Sequence, residues 1–360
     1  MLFKQYFAKK PLTELANEAK HSHDLERTLS AFQLVLLGIG AIVGAGIFVY
    51  VGTGAAHAGP AVILSFVLSG LACVCAALCY AELAAAIPLS GSAYTYSYAT
   101  LGELPAWIIA GCMILHYVLS AAAVASGWSG YFVSFLAGYD IILPPQWVHT
   151  TGHLIQLEDG QTTRAILNLP VLVIVSFLTF VLFYGAKASA ILNTFIVIIK
   201  LTVLLAFILV GAMYIDPQNW TPFIPKNTGT FGSFGVSGIV SGSAAIFLAY
   251  MGFDAVSTAA QEAKNPQRDL PIGIIGSLAI TTLLYVLIAG VLTGLIHYTE
   301  LIDSTEPLAR AINTLHMPWF STLIKLGAVT GLTSVILVLF YAAVRVLYTV
   351  THSSITYSIG

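Results

Sequence analysis

Eight stretches of this chain are apolar for long enough to cross a bilayer: 31–56, 60–88, 104–138, 168–184, 190–214, 237–260, 272–296 and 319–350. Each is near or above the ~20 residues that a helix needs to span the hydrocarbon. The third and the eighth exceed one bilayer thickness and are expected to tilt or protrude. Two spans are interrupted where a membrane helix should run on. One interruption is Gly38-Ile39-Gly40-Ala41-Ile42-Val43-Gly44-Ala45-Gly46-Ile47-Phe48, and the other is Phe247-Leu248-Ala249-Tyr250-Met251-Gly252-Phe253-Asp254. They fall in the first and sixth spans, five spans apart. Broken helices in corresponding positions of two repeats point to a binding site near the membrane midplane. A helix that unwinds there frees N–H and C=O groups, and a ligand can satisfy them.

The polar residues between the spans set boundaries and orientation. Ser30-Ala31-Phe32-Gln33 has the spacing of a capping box and is expected to start the first helix. Ahead of it, Leu2, Phe3, Tyr6 and Phe7 with Lys4, Lys9 and Lys10 read either as a short helix on the membrane surface or as a disordered tail. With the N-terminus inside, the cytoplasmic segments hold Lys4, Lys9, Lys10, Lys20, Arg27, Lys187, Lys264, Arg268 and Arg345. The outer loops hold only Arg164, Lys226 and Arg310. This bias follows the positive-inside rule. The segment 139–167, with His149, His153, Glu158 and Asp159, then becomes an external loop.

Composition agrees. The chain is 58% hydrophobic and 8% charged, against about 25% charged in a soluble domain, so it reads as an all-α integral membrane protein. Cys73, Cys75, Cys79 and Cys112 all fall inside apolar runs and read as small buried hydrophobes, not disulfides or metal ligands. The first apolar run is long enough to span and reads as a retained helix, not a signal peptide. There is no catalytic constellation, metal-ligand spacing, phosphate loop or basic face for nucleic acid, so neither an enzyme nor a metal or cofactor site is expected.

The breaks suit a zwitterion. Exposed N–H groups at a half-helix N-terminus can take a carboxylate, and unwound carbonyls can take an ammonium. Gly44-Ala45-Gly46 suits the first role, because glycine lets a ligand approach the backbone closely. Carbonyls near Ile42 and Val43, and those of Leu248, Ala249, Tyr250 and Met251, suit the second. The competing reading is helix packing, since Gly40-x-x-x-Gly44 and Gly238-x-x-x-Gly242 are small-xxx-small patterns. Tyr250 and Phe253 read as pocket or gate residues, or as packing.

Lys200 stands alone in Ile196-Val197-Ile198-Ile199-Lys200-Leu201-Thr202-Val203-Leu204. A lysine at the centre of a membrane helix costs ~2.5–3.5 kcal/mol on insertion scales. It reads as a proton-coupling site, or as a lysine that snorkels or pairs permanently with carbonyls. Thr333 and Ser334 are candidate hydroxyl partners for it. His116 could titrate in the pocket or serve as a hydrogen-bonded packing residue. Asp254 is expected to cap the half-helix that restarts after the second break, with direct contact with substrate in the pocket as the alternative. Glu82 is expected to partner loop groups.

The chain resembles the amino acid–polyamine–organocation superfamily, and within it the bacterial members of the cationic amino acid transporter family. The resemblance rests on Arg27-Thr28-Leu29-Ser30 with the first break, on Tyr80-Ala81-Glu82-Leu83 with Ile87-Pro88-Leu89-Ser90-Gly91-Ser92-Ala93-Tyr94 and Leu101-Gly102-Glu103, on Gly252-Phe253-Asp254-Ala255-Val256-Ser257-Thr258 with Glu262-Ala263-Lys264-Asn265-Pro266-Gln267-Arg268, and on Leu270-Pro271-Ile272-Gly273-Ile274. It runs from about residue 25 to about 346. It implies a five-plus-five inverted repeat with alternating access and twelve or more helices. It places substrate between the first and sixth helices, with Gly44, Ala45 and Gly46 holding the carboxylate. It also matches Lys200 to a fifth-helix lysine that replaces a sodium ion in proton-coupled relatives.

Bacterial relatives often carry a glutamate where this chain has His116, which weakens a case for cationic substrates. The expected function is therefore a proton-coupled permease that imports small neutral amino acids across the cell (cytoplasmic) membrane. An amino acid exchanger or a cationic amino acid permease are the alternatives. A non-transporting amino acid sensor, or a truncated and inactive remnant, is the alternative of another class. Its basis is that the ninth and tenth helices of the fold are not found in the chain. The expected organisation is a cytoplasmic segment 1–30, a first repeat 31–215, an incomplete second repeat 236–350 and an atypical tail 351–360.

Overall fold

The computed structural model describes Lys9, residues 27–152, 154–156 and 162–302, Ser304 and residues 306–355. The surface helix considered for residues 2–10, apart from Lys9, lies outside these, as do His153, Glu158, Asp159 and the last five residues of the tail.

Helix α1, Ala31–Ile42, starts at the expected capping box: the Ser30 hydroxyl accepts from the Gln33 N–H, and the Gln33 side chain accepts from the Ser30 N–H at 3.0 Å. Two short helices complete the first span, α2 (Ala45–Phe48) and α3 (Tyr50–Ala58). Then come α4 (Val62–Ala86), α5 (Ala93–Thr100), α6 (Glu103–Ala137), α7 (Leu169–Phe183) and α8 (Ala186–Ala212). The sixth span opens with α9 (Gly235–Ile246) and continues as two 3-10 stretches, Phe247–Tyr250 and Phe253–Glu262. Helices α10 (Pro266–Leu295), α11 (Pro307–Asn313) and α12 (Pro318–Ile355) follow. Seven helical runs among the described residues are long and apolar enough to cross a membrane, and α7 is a shorter apolar eighth. In the loop before α7, strands β1 (Leu154–Gln156) and β2 (Thr162–Arg164) form an antiparallel hairpin that the hydropathy pattern did not announce.

Helix α1 is the centre of the molecule. Every residue from Leu36 to Ile42 is buried, and α10, α8 and α12 pack around it. Helices α6 and α12 pack along each other, α10 lies on α4, and α9 lies on α3 and α4. A methyl group on Gly238 would sit 2.3 Å from the His57 carbonyl oxygen, and one on Gly242 would sit 2.9 Å from the Ser65 hydroxyl. The small residues of α9 therefore do serve helix packing. Large apolar side chains such as Ile108 and Leu115 on α6, and Phe195 and Leu209 on α8, stay exposed, as expected of helices whose outer face meets lipid.

Three expectations need correction. Of the four cysteines only Cys73 is buried; Cys75, Cys79 and Cys112 lie on exposed surfaces, because an apolar position on a membrane helix can face lipid as readily as protein. Glu82 is exposed on α4 and makes no hydrogen bond or ion pair among the described residues. Arg345 is not a free loop cation: it sits inside α12 and pairs with Glu262, a residue only 1% exposed. Tyr341 donates its hydroxyl to the same carboxylate, and the Arg345 guanidinium lies 5.2 Å from the Tyr341 ring centre. The backbone joins in, since the Leu29 N–H donates to the Glu262 carbonyl at 2.9 Å and the Lys264 N–H donates to the Leu29 carbonyl at 2.8 Å. The entry to α1, the end of the sixth span and α12 are thereby tied at one point.

At the opposite end of α12, the loop carrying α11 packs on α3: a methyl group on Gly52 would meet the Leu301 carbonyl at 2.7 Å. Glu306 in this loop accepts from the Ser134 hydroxyl of α6 at 3.1 Å. Burial pushes the Glu306 carboxyl above its ordinary 4.5, against the opposing pull of Ser134 and Lys325. The folded protein then holds this proton more tightly than the unfolded chain does. Its contribution to stability is greatest in acid and is lost as pH rises from about 4.5 through the raised value.

Two outcomes are expected. Arg345→Met leaves Glu262 buried without its counter-charge and should destabilise by about 3–5 kcal/mol, whereas the double variant Glu262→Gln/Arg345→Met should recover much of that loss; thermal midpoints in detergent check both. Across pH 4.5 to 7 the midpoint of the wild type should fall relative to that of Glu306→Gln.

Candidate functional site

Helix α1 stops at Ile42, and the chain runs through Val43 and Gly44 before α2 begins. Gly46 is required by packing: a methyl group there would lie 2.6 Å from the Ala249 Cβ and 2.7 Å from the Tyr285 hydroxyl. In the second break, Met251 is extended and Gly252 takes φ 118°, a left-handed conformation that favours glycine. A side chain at Gly252 would also strike Ala41 at 2.9 Å. The two breaks thus lie directly against each other. Asp254 does not cap the restarting helix. The turn begins at Gly252 with no side-chain cap, and the Asp254 carboxylate instead accepts from the Tyr117 hydroxyl at 2.5 Å.

A cavity of about 250 Å³ lies beside the breaks. Ile42, Ala45 and Gly46 line it from the first break, and Leu248, Ala249 and Met251 from the second. Helix α6 contributes His116, Leu119, Ser120 and Ala123, and α12 contributes Val335 and Leu339. The His116 ring nitrogen lies 3.4 Å from the Ser120 hydroxyl. The cavity wall carries no acidic residue, lysine or arginine. Val43, Gly44, Tyr250 and Asp254 are not part of the wall. Tyr250 is fully buried and donates to the Phe66 carbonyl at 2.8 Å. Among the described residues, no group of three or more His, Cys, Asp or Glu is placed to hold a metal.

Behind the first break, Lys200 is completely buried. Its Nζ donates to the carbonyls of Ile39 (3.0 Å), Gly40 (3.2 Å) and Val43 (2.8 Å) and to the Ser334 hydroxyl (2.7 Å). Ser334 in turn reaches the Gly40 and Gly331 carbonyls. Thr333 is no partner of Lys200. It accepts from the Trp128 indole at 2.8 Å and donates to the Val329 carbonyl of its own helix.

Three hydroxyls that sequence reading passed over hold the same region. The Tyr285 hydroxyl lies 2.7 Å from the Ile42 carbonyl oxygen and 3.0 Å from that of Ala249. Tyr131 donates to the Phe48 carbonyl at 2.6 Å. The third is Tyr117, on Asp254. The available signal was a lone tyrosine in an apolar run, Leu283-Leu284-Tyr285-Val286-Leu287: its hydroxyl has no water there and must find a protein partner.

An amino acid permease family model matches residues 29–355. The chain belongs to the amino acid permease family, within the amino acid–polyamine–organocation superfamily. It is 45% identical to the methylthioribose transporter of Bacillus subtilis (strain 168), over 97% of this chain and 72% of that one. It is 44% identical to the branched-chain amino acid permease BcaP of the same organism, with the same two coverages. Identity to cationic amino acid transporter 9, chloroplastic, of Arabidopsis thaliana is 38%, over 93% of this chain and 57% of that one. Among solved structures it resembles Mhp1, a nucleobase-cation-symport-1 family transporter in a closed conformation with bromovinylhydantoin bound. The TM-score is 0.54 at 12% identity, over 96% of this chain and 70% of that one, a likeness of fold alone. The permease is thus a multi-pass membrane protein with the inverted-repeat transporter fold and discontinuous first and sixth helices, and it is an amino acid transporter by family.

The contact between the breaks makes a direct prediction. Gly46→Ala forces its new methyl group against Ala249 and Tyr285 and should destabilise the permease by about 1–3 kcal/mol, the usual range for overpacking. Gly111→Ala, whose methyl group would meet nothing within 4 Å, should leave the thermal midpoint unchanged.

Proposed function

We propose that this permease imports a small neutral amino acid across the cell membrane, with its N-terminus in the cytoplasm, in symport with protons. The substrate lies in the cavity beside the two breaks. The N–H groups at the start of α2, from Gly44 to Gly46, take its carboxylate, backbone carbonyls of the two breaks take its ammonium, and the aliphatic wall takes its side chain. The lack of any acidic side chain in that wall speaks against a cationic substrate, although several relatives are named as cationic amino acid transporters. The relative named as a branched-chain amino acid permease supports an aliphatic one. Residues 31–215 act as the first repeat and residues 236–350 as three helices of the second.

The observation that carries the proton coupling is the seat of Lys200. A charged ammonium has three protons and no acceptor, and here it meets three carbonyls of the first broken helix and one hydroxyl. Loss of one proton removes the charge that makes each of these bonds roughly twice as strong as a neutral one, and leaves two protons for three carbonyls. Deprotonation therefore loosens α1 from α8 and α12. Protonation of Lys200 draws them together, which couples a proton to the movement of the first helix.

A second reading has one observation in its favour, the 45% identity to a methylthioribose transporter. His116 and Ser120 would then meet the hydroxyls of a neutral thioether sugar.

Uptake of radiolabelled leucine, alanine and methylthioribose into proteoliposomes, with and without an inward proton gradient, tests these readings. Gradient-driven leucine or alanine uptake that Lys200→Met reduces to background supports the proposal. Gradient-independent exchange that survives Lys200→Met overturns the proton coupling. Uptake confined to methylthioribose overturns the amino acid substrate.

A further inference from the structure

The carbonyls best placed to receive an amino acid's ammonium are already engaged. Ile42 and Ala249 line the cavity, one from each break, and both carbonyls lie within hydrogen-bond distance of one atom, the Tyr285 hydroxyl. That hydroxyl thus bridges the two breaks. A tyrosine hydroxyl both donates and accepts. By donating, it occupies the carbonyls, one from each break, that the ammonium of an amino acid would need.

The arrangement is unequal. The hydroxyl has one proton and two carbonyls in reach, so it satisfies only one of them fully at a time. An ammonium brings three protons and a charge, and charge-assisted hydrogen bonds are roughly twice as strong as neutral ones. The tyrosine ring is held in place. It packs 5.3 Å from the Phe66 ring and 5.3 Å from the Tyr250 ring, and Tyr250 is itself tied to the Phe66 carbonyl. When the bonds change hands, the backbone segments of the breaks move and the tyrosine stays. All three rings, Phe66, Tyr250 and Tyr285, are buried.

We propose that the Tyr285 hydroxyl is a built-in placeholder for the substrate's ammonium: it gathers Ile42 and Ala249, and the amino acid binds by taking over the bonds that this hydroxyl makes. Tyr285 is thus a positioning residue that sets affinity, because each binding event must outcompete it. It also turns binding into movement, since a substrate that draws Ile42 and Ala249 toward the cavity draws both broken helices off α10. The inference rests on the reading of this cavity as the amino acid site.

The test compares leucine binding to the whole purified chain by calorimetry in detergent, for the wild type and Tyr285→Phe. The phenylalanine keeps the packing against Phe66 and Tyr250 and removes only the hydroxyl. A placeholder predicts tighter binding, with Kd lower by roughly five- to tenfold, the worth of one buried hydrogen bond. It also predicts a lower thermal midpoint without leucine that saturating leucine largely restores. A merely structural tyrosine predicts a lower midpoint with weaker or unchanged binding, and that result overturns the inference. If the wild type binds neither leucine nor alanine, the reading of the cavity falls first, and this inference with it. If Tyr285→Phe does not fold, 3-fluorotyrosine placed at position 285 of the otherwise unchanged chain reports the same event. Its fluorine resonance should shift on adding leucine, and a resonance that leucine leaves in place overturns the proposal.

Discussion

A backbone that leaves its helix inside an apolar medium must have its carbonyls and amides met by something other than water. This constraint governs the structure. The first broken helix presents carbonyls at Ile39, Gly40, Ile42 and Val43, of which Ile39 still accepts from the Val43 N–H, and side chains from three other helices come to them. Lys200 of α8 takes three, the Tyr285 hydroxyl of α10 takes the fourth, and Ser334 of α12 helps at Gly40. The helices that pack around α1 are the helices that carry these donors. Satisfying the break and building the core are therefore one event.

The same constraint explains why the two breaks touch. An unwound segment stripped of side-chain bulk lets another backbone come close. Gly46 admits Ala249, and Gly252 admits Ala41. Only because the segments lie this near can one tyrosine hydroxyl reach a carbonyl from each. The cavity beside them is then left with a mostly aliphatic wall, to which Tyr50 and the pair His116 and Ser120 add polar groups.

Polar groups at the two ends of the fold serve a different purpose. Glu262, Tyr341 and Arg345 join the end of the sixth span to α12, and the Leu29 backbone brings the start of α1 to the same place. At the other end, Glu306 ties the α11 loop to α6. Neither cluster touches the cavity wall. Each bridges segments distant in sequence, so each ties one end of the molecule together. A buried ion pair is a demanding way to do so, because it is stable only while both partners are present.

Much of the architecture was legible along the chain. Eight spans, the capping box at Ser30, both broken segments and the isolation of Lys200 follow from local properties: hydropathy over ~20 residues, the reach of a hydroxyl to an amide three residues on, the clustering of glycines, and a charge with no neighbour. What a side chain touches across the fold was not legible. Ser334 and Thr333 are adjacent in sequence, yet one meets Lys200 and the other meets Trp128, because neighbours on a helix point about 100° apart. Asp254 was readable as a cap only in isolation; Tyr117, 137 positions away, takes its carboxylate instead. Tyr285 carries no local signal of its role; α10 brings it between the breaks. The sequence by itself determined where the helices run and where they fail, since those are one-dimensional properties. Only the tertiary structure decided which donor meets which carbonyl, since that depends on the rotation and approach of helices whose contacts lie 36 to 294 residues apart.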